Sequence, residues 1–244
     1  MFTRWYRRVN DRAPAVHLRP SSLEPMRQQY HEQLEDISNG LVELTQLVGD
    51  AMGRATRALL ETDLQAAESV IASDVDIDDR ADALESLALD VIALQAPVAG
   101  ELRSLVGALR MSATLERMGD LAEHIARIAR RRYPDPVVPE ELVPTLREMG
   151  ELAVRLAYET GDIISSVDVT HALRLETEDD RMDELHRRMF MTLLAPDWSH
   201  GVESAIDITL VSRFYERFAD HAVSVARRVV HQATGQRPQT MEQG

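Results

Sequence analysis

Cysteine is absent from all 244 residues of the chain. No disulfide framework, thiolate metal site or cysteine nucleophile can therefore be built. Lysine is absent as well, so all 27 basic residues are arginines. Neither a phosphate-loop lysine nor a Schiff-base lysine is available. Aromatic residues amount to 5%, and no strand-like alternation of apolar and polar positions occurs. No uninterrupted run of roughly 18 apolar residues is present, so no membrane span is predicted. Positive charge is scarce: 41 acidic residues against 27 arginines leave a net charge of -14. Such acidity argues against nucleic acid or anionic lipid as a general partner. Arg4, Arg7 and Arg8 open the chain, but no apolar segment of signal-peptide type follows them, and the cytoplasm is the expected compartment.

What is there is helical. Hydrophobic residues make up 44% of the chain, enough for one or two units with a real core. Residues 1–25 hold five arginines against Asp11 and Glu24, with Pro14, Pro20 and Pro25 breaking any helix. They are expected to form a disordered basic extension, with Met26 opening the folded part. From Leu34 the apolar spacing is strict: Leu34, Ile37, Leu41, Leu44, Val48, Met52, Ala55 and Leu59 are three or four residues apart. This is the seam of a helix packed in a bundle. Asp63 is placed to cap a second helix, over about 64–94, which Pro97 ends. A third is predicted from about Val98 to Arg132. The Pro-rich stretch 134–139 is the expected linker. The plan then repeats over 140–233, with helices near 140–165, 169–194 and 202–233 and a capping residue at Asp168. Residues 234–244 read as a disordered tail. The fold class is therefore all-α, two tandem three-helix bundles, 26–133 and 140–233, related by pseudo-twofold symmetry.

Two twelve-residue stretches, one hundred positions apart, carry the chemistry. They run from Glu116 to Arg127 and from Glu216 to Arg227, and share Glu, Arg, Asp, Ala, Ala and Arg at equivalent places. Each sets a Glu and an Asp at i, i+4: Glu116 with Asp120, and Glu216 with Asp220. Such pairs share a helix face and repel. Apolar residues run along that face and beside it, so the acids are expected to be partly buried. A buried carboxylate must be paired, protonated or bound to a metal. Arg117 and Arg217 point about 100° away from the neighbouring Glu at helical spacing and are poor partners for it. Each second helix carries Asp-Asp-Arg-x-Asp: Asp78, Asp79, Arg80 and Asp82, then Asp179, Asp180, Arg181 and Asp183. If the second and third helices pack antiparallel, Asp78, Asp82, Asp179 and Asp183 can approach the motif acids. They would supply enough oxygen donors for a hard or borderline cation. His124, one turn beyond Asp120, is a candidate nitrogen ligand, and its counterpart is Ser224. His186 and His221 fall near the second acidic group. No Glu-x-x-His occurs, which excludes the ferritin-like di-iron pattern. Arg127, Arg130, Arg131 and Arg132 complement the dipole at the end of the third helix, or serve as a patch for phosphate or an acidic protein.

The paired Glu-Arg-(Met/Phe)-(Gly/Ala)-Asp motifs resemble those of the PhoU family, accessory regulators of bacterial phosphate uptake. So do the connector 94–103 (Leu-Gln-Ala-Pro-Val-Ala-Gly-Glu-Leu-Arg) and the opening Tyr30-His31-Glu32-Gln33-Leu34. The arginine-rich, cysteine-free style resembles actinobacterial members. The resemblance implies two three-helix bundles, assembled as a homodimer. It also implies iron or zinc clusters on Glu116, Asp120, Glu216 and Asp220 with acids of the second helices. Asp183 matches there in the second repeat, while in the first a gap-free alignment selects Asp78 and the repeated Asp-Asp-Arg-x-Asp selects Asp82. The family commonly has Asn one turn after the motif Asp, where this chain has His124 and Ser224. The implied role is a non-enzymatic adaptor between a phosphate ABC transporter and a sensor histidine kinase, repressing the phosphate regulon. Its contact with membranes would be peripheral, through those membrane proteins. From the residues alone, a metal-dependent phosphoesterase and a metal-free helical scaffold are the competing readings.

Overall fold

The computed structural model describes residues 23–234, with side chains described from residue 28. The expected disordered segments therefore lie, but for their inner edges, outside the described residues. Among the described residues there are six long helices: α1 (Leu23–Glu61), α2 (Leu64–Gln95), α3 (Gly100–Arg132), α4 (Val143–Ser166), α5 (Val169–Leu193) and α6 (Gly201–Thr234). A 3-10 turn, Glu140–Leu142, precedes α4. No strand occurs among the described residues. The helix ends agree with the sequence expectation to within about three residues, the usual latitude of frayed termini. One difference has a clear cause. Helix α1 starts at Leu23, ahead of Pro25, because a proline in the first turn lacks only an N–H that has no partner there anyway.

Local chemistry explains the breaks. Asp63 caps α2 by accepting from the Ala66 N–H at 2.9 Å. Asp168 caps α5 by accepting from Thr170 and His171 at 2.8 and 3.0 Å. Helix α2 ends on Ala96 in the left-handed conformation, φ 44°, immediately before Pro97. The eight seam residues of α1 are all buried.

Within the first repeat α1, α2 and α3 pack on one another. In the second, α5 packs on α4 and α6, and α4 on α6. The repeats are joined by two further pairings, α1 with α4 and α3 with α6. Both run antiparallel. Thr45 faces Gly161 and Thr56 faces Gly150, and Ser104 bonds Gln232 while Arg131 meets Asp207. The symmetry axis therefore lies across the helices, with α2 and α5 on opposite flanks.

The α1–α4 crossing is tight enough to demand glycine. A Cβ on Gly150 would lie 2.4 Å from Thr56 Cγ2 and 2.6 Å from its Oγ1. Thr56 cannot yield easily. Its hydroxyl donates to the Met52 carbonyl at 2.8 Å and therefore accepts from the buried Tyr215 hydroxyl at 2.8 Å. Gly150→Ala is expected to lower the unfolding free energy by about 1–3 kcal/mol, the usual cost of overpacking a core. Urea denaturation followed by circular dichroism measures it. An unchanged midpoint would contradict this account of the crossing.

Candidate functional site

Helices α2 and α3 are antiparallel neighbours. The Ser112 hydroxyl donates to the Ala81 carbonyl at 3.3 Å, and the space beside Gly119 is filled by Ile77 and by Asp74 Oδ1. This register sets Asp78 level with Glu116, and Asp74 level with Asp120. In the second repeat His186 Nδ1 lies 3.1 Å from Ser212 Oγ. That register sets Asp183 level with Glu216, and Asp179 level with Asp220. Each repeat thus gathers two acids of a second helix against the Glu and Asp of a third.

The registers overturn the equivalence suggested by the repeated Asp-Asp-Arg-x-Asp. Counted from the capping aspartates, Asp74 and Asp179 are each eleven residues into the helix (74 − 63 and 179 − 168). Asp78 and Asp183 are each fifteen residues in (78 − 63 and 183 − 168). The structural counterparts are therefore Asp74 with Asp179, and Asp78 with Asp183. Asp82 stands one turn further out. The shared pentapeptide lies one helical turn out of step with the packing. Asp74 was missed from the sequence. Its signal was the ladder Asp74, Asp78, Asp82, which repeats every four residues along one face.

The electrostatics follow from this gathering. Asp74 is pushed up to about 6, first by burial and then by Glu123, Asp78 and Asp120. Asp179 is pushed up to about 7, first by burial and then by Asp220, Asp183 and Glu216. Burial raises Glu116, with Asp120 and Asp78 adding to it and Arg117 opposing. Burial also raises Glu216, with Asp220 adding and Arg213 opposing. These are like charges held together against their own repulsion.

The two clusters differ in their cations. In the first, the buried Glu123 pairs with Arg127 at 2.6 Å, while Asp74, Asp78, Glu116 and Asp120 have no ion-pair partner within 4 Å among the described residues. In the second, Arg213 pairs with Glu216 and Arg227 with Glu176 at 2.7 Å. The other oxygen of Glu216, Oε2, is buried without a hydrogen-bond partner among the described residues.

The expectation of partial burial, made for the paired acids of the third helices, holds for Glu116, Asp120 and Glu216 and fails for Asp220, which is exposed. Of the second-helix acids, Asp74 and Asp179 are partly buried, while Asp78, Asp82 and Asp183 are exposed. The reason is that the clusters sit at the outer edge of the α2–α3 and α5–α6 seams, so only the inner members are covered. His124 is exposed, its ring edge-on to Phe214 with centroids 5.4 Å apart. Its Nδ1 lies 3.8 Å from Glu123 Oε2. The ring thus faces the α3–α6 seam. His186 is engaged with Ser212 and Phe190.

Among the described residues no three Asp, Glu or His side chains converge closely enough to hold a metal ion. The donor set suits a hard or borderline cation, since carboxylate oxygens dominate it. The unpartnered buried oxygen of Glu216 and the unpaired inner acids of the first cluster are the sort of groups a cation satisfies. The exposed members have solvent space in which to change rotamer and close on one.

Arg131 and Arg132 stand in the last turn of α3, as expected of dipole partners, and they also reach across to the second repeat. Both contact Asp207, and Arg132 also meets Glu203 at 2.9 Å. No described helix is long and apolar enough to cross a membrane.

Residues 41–129 and 146–229 each match the family model described as the PhoU domain. Relatives agree with it. "Phosphate-specific transport system accessory protein PhoU homolog 2" of Mycobacterium tuberculosis is 51% identical over 213 residues, covering 87% of this chain and 100% of that protein. "Phosphate-specific transport system accessory protein PhoU homolog 1" of Mycobacterium leprae is 50% identical over 214 residues, covering 88% and 96%. The crystal structure of PhoU from Pseudomonas aeruginosa shares the fold with a TM-score of 0.75, at 23% identity, over 85% of this chain and 100% of that one. The phosphate transport system regulatory protein PhoU from Streptococcus pneumoniae does so with a TM-score of 0.78, at 22% identity, over 86% and 99%. With both repeats matched separately and half of the aligned residues shared with mycobacterial relatives, the chain belongs to the PhoU family.

Proposed function

We propose that this protein is a regulator of phosphate uptake and of the phosphate-starvation response, and that it binds metal ions on its two carboxylate clusters. It acts as an adaptor between a phosphate ABC transporter and a sensor histidine kinase, holds the phosphate regulon off when phosphate is plentiful, and turns over no substrate. It works in the cytoplasm as a homodimer. Support for the phosphate role comes from the relatives, which are named as accessory proteins of the phosphate-specific transport system.

The observation that carries the metal part is the duplicated gathering of four acids, two from each helix. Asp74, Asp78, Glu116 and Asp120 would hold iron or zinc in the first repeat, and Asp179, Asp183, Glu216 and Asp220 in the second. Asp82 stands at the rim of the first cluster, and His124 on the neighbouring α3–α6 seam. Bound metal would supply the positive charge that these carboxylates lack. The side chains themselves join α2 to α3 and α5 to α6, so neutralising them stiffens each hairpin. The helices then present a defined surface to partner proteins.

Two measurements test this. Metal analysis of protein purified without chelator is expected to find iron or zinc, and less of it in a Glu116→Ala, Asp120→Ala variant. Equal and negligible metal in both would sink the metal part. A strain lacking every copy of the protein is expected to express phosphate-starvation genes constitutively in rich phosphate. Normal repression there would sink the regulatory part.

A further inference from the structure

Between the two carboxylate clusters runs the open side of the α3–α6 seam, and it carries the opposite charge. The antiparallel register is set by three contacts along its length: Ser104 with Gln232, His124 with Phe214, and Arg131 with Asp207. At that register Arg110 lies level with Arg228, and Arg117 level with His221. Arg217 follows one turn before His221 on the same face. Arg110, Arg117 and Arg217 are exposed, and Arg228 is half-buried.

None of the four arginines forms an ion pair among the described residues, although the chain carries a net charge of -14. Arg117 and Arg217 temper the neighbouring Glu116 and Asp220 through space. Arg110 and Arg228 have no acidic residue three or four positions away on their own helices. Among the described residues Arg228 donates to Ser224 Oγ alone, at 3.2 Å. Burial, then Arg110 and Arg117, make its charge harder to keep. Burial and Arg217, Arg117 and Arg228 do the same to His221, which disfavours its protonation. A half-buried guanidinium facing two more arginines is unfavourable unless something negative is there to bind.

We infer that the Arg110–Arg228 end of the α3–α6 seam, extended by Arg117 and Arg217, binds an extended phosphoryl anion. The chemistry follows from the residues. Guanidinium groups match phosphoryl oxygens with paired hydrogen bonds. Arg110 and Arg117 are seven residues apart, about 10 Å along the helix. That span exceeds a single phosphate and suits phosphoryl groups joined in a chain. A free condensed phosphate and the phosphate chain of a nucleotide share this chemistry. The site is distinct from the carboxylate clusters, so the two readings can fail separately.

The test is isothermal titration calorimetry on the full chain in metal-free buffer at low salt, using tripolyphosphate, ATP and orthophosphate in separate arms. Tripolyphosphate is expected to bind at least about tenfold more tightly than orthophosphate, since charge-assisted contacts add along the chain. Comparable binding of ATP would identify a nucleotide as a competent source; binding of tripolyphosphate alone would identify the free chain. The double variant Arg110→Gln, Arg228→Gln is expected to lose at least about tenfold in affinity while keeping its helical content and metal content. Arg187→Gln, Arg188→Gln, with the same change in net charge on helix α5, outside the α3–α6 seam, is expected to bind as the parent does. No binding of tripolyphosphate or ATP, equal affinity for orthophosphate, or equal losses in the two double variants would overturn the proposal.

Discussion

Removing both Arg131 and Arg132 is expected to destabilise the protein by about 3–5 kcal/mol, the penalty for stranding a buried charge. Asp207 is 2% exposed. It lies on α6, in the second repeat, and its cations come from the last turn of α3, in the first. Arg131 contacts Oδ1, and Arg132 Nε lies 2.9 Å from Oδ2. The second contact is close in charge but out of line for a hydrogen bond. Deleting the arginines leaves a carboxylate with neither water nor cation. Deleting the acid instead, as Asp207→Ala, is expected to cost less, about 1–3 kcal/mol. Arg131 is more than half exposed and can turn its charge to solvent. The order of the two effects is therefore diagnostic. Urea denaturation of parent, Arg131→Ala with Arg132→Ala, and Asp207→Ala would measure it. If the acid deletion proved the more costly, the clasp would not be held by the burial of Asp207.

The second large effect changes sign with metal. Asp179 has its pKa raised from the ordinary 3.8 to about 7, so the folded protein holds a proton that the unfolded chain has lost. Between about pH 4 and 7 the folded state binds more protons, and stability falls as pH rises through that window. Asp74, pushed up to about 6, adds a fall over about pH 4 to 6. In chelator-treated protein, Asp179→Asn is expected to flatten this decline and to add about 1–2 kcal/mol at pH 8. That figure allows for solvent screening of a partly exposed cluster. With a cation present the same substitution removes a donor and one negative charge, and is expected to weaken metal retention and lower the melting temperature. Melting temperatures of both proteins from pH 4 to 8, with chelator and with added iron or zinc, would show the reversal. The same pH slope in parent and variant would remove Asp179 as its source. A stabilised apo-variant is what a site kept for function at a cost in stability predicts.

Both effects depend on distances across helices, and this divides what could be read from the chain from what could not. The helices were legible because their signals are local. The spacing from Leu34 to Leu59 reports a buried face through the period of the helix. Asp63 and Asp168 announce helix starts because a short acceptor side chain satisfies free N–H groups. Pro97 marks a stop because it has no N–H to give. The duplicated Glu and Asp of α3 and α6 were legible for the same reason.

Partnership between helices has no such local signal. A shared pentapeptide set Asp78 against Asp179, while side-chain packing sets Asp74 there instead, since register is chosen by how Ile77 and Ser112 fit the facing helix. Arg131 finds Asp207 across 76 residues of chain. Arg110 and Arg228 come level because the two repeats lie antiparallel, a relation that no helical period encodes. Period and capping are properties of one helix; the charge clusters, the clasp and the arginine seam arise from the fit of two.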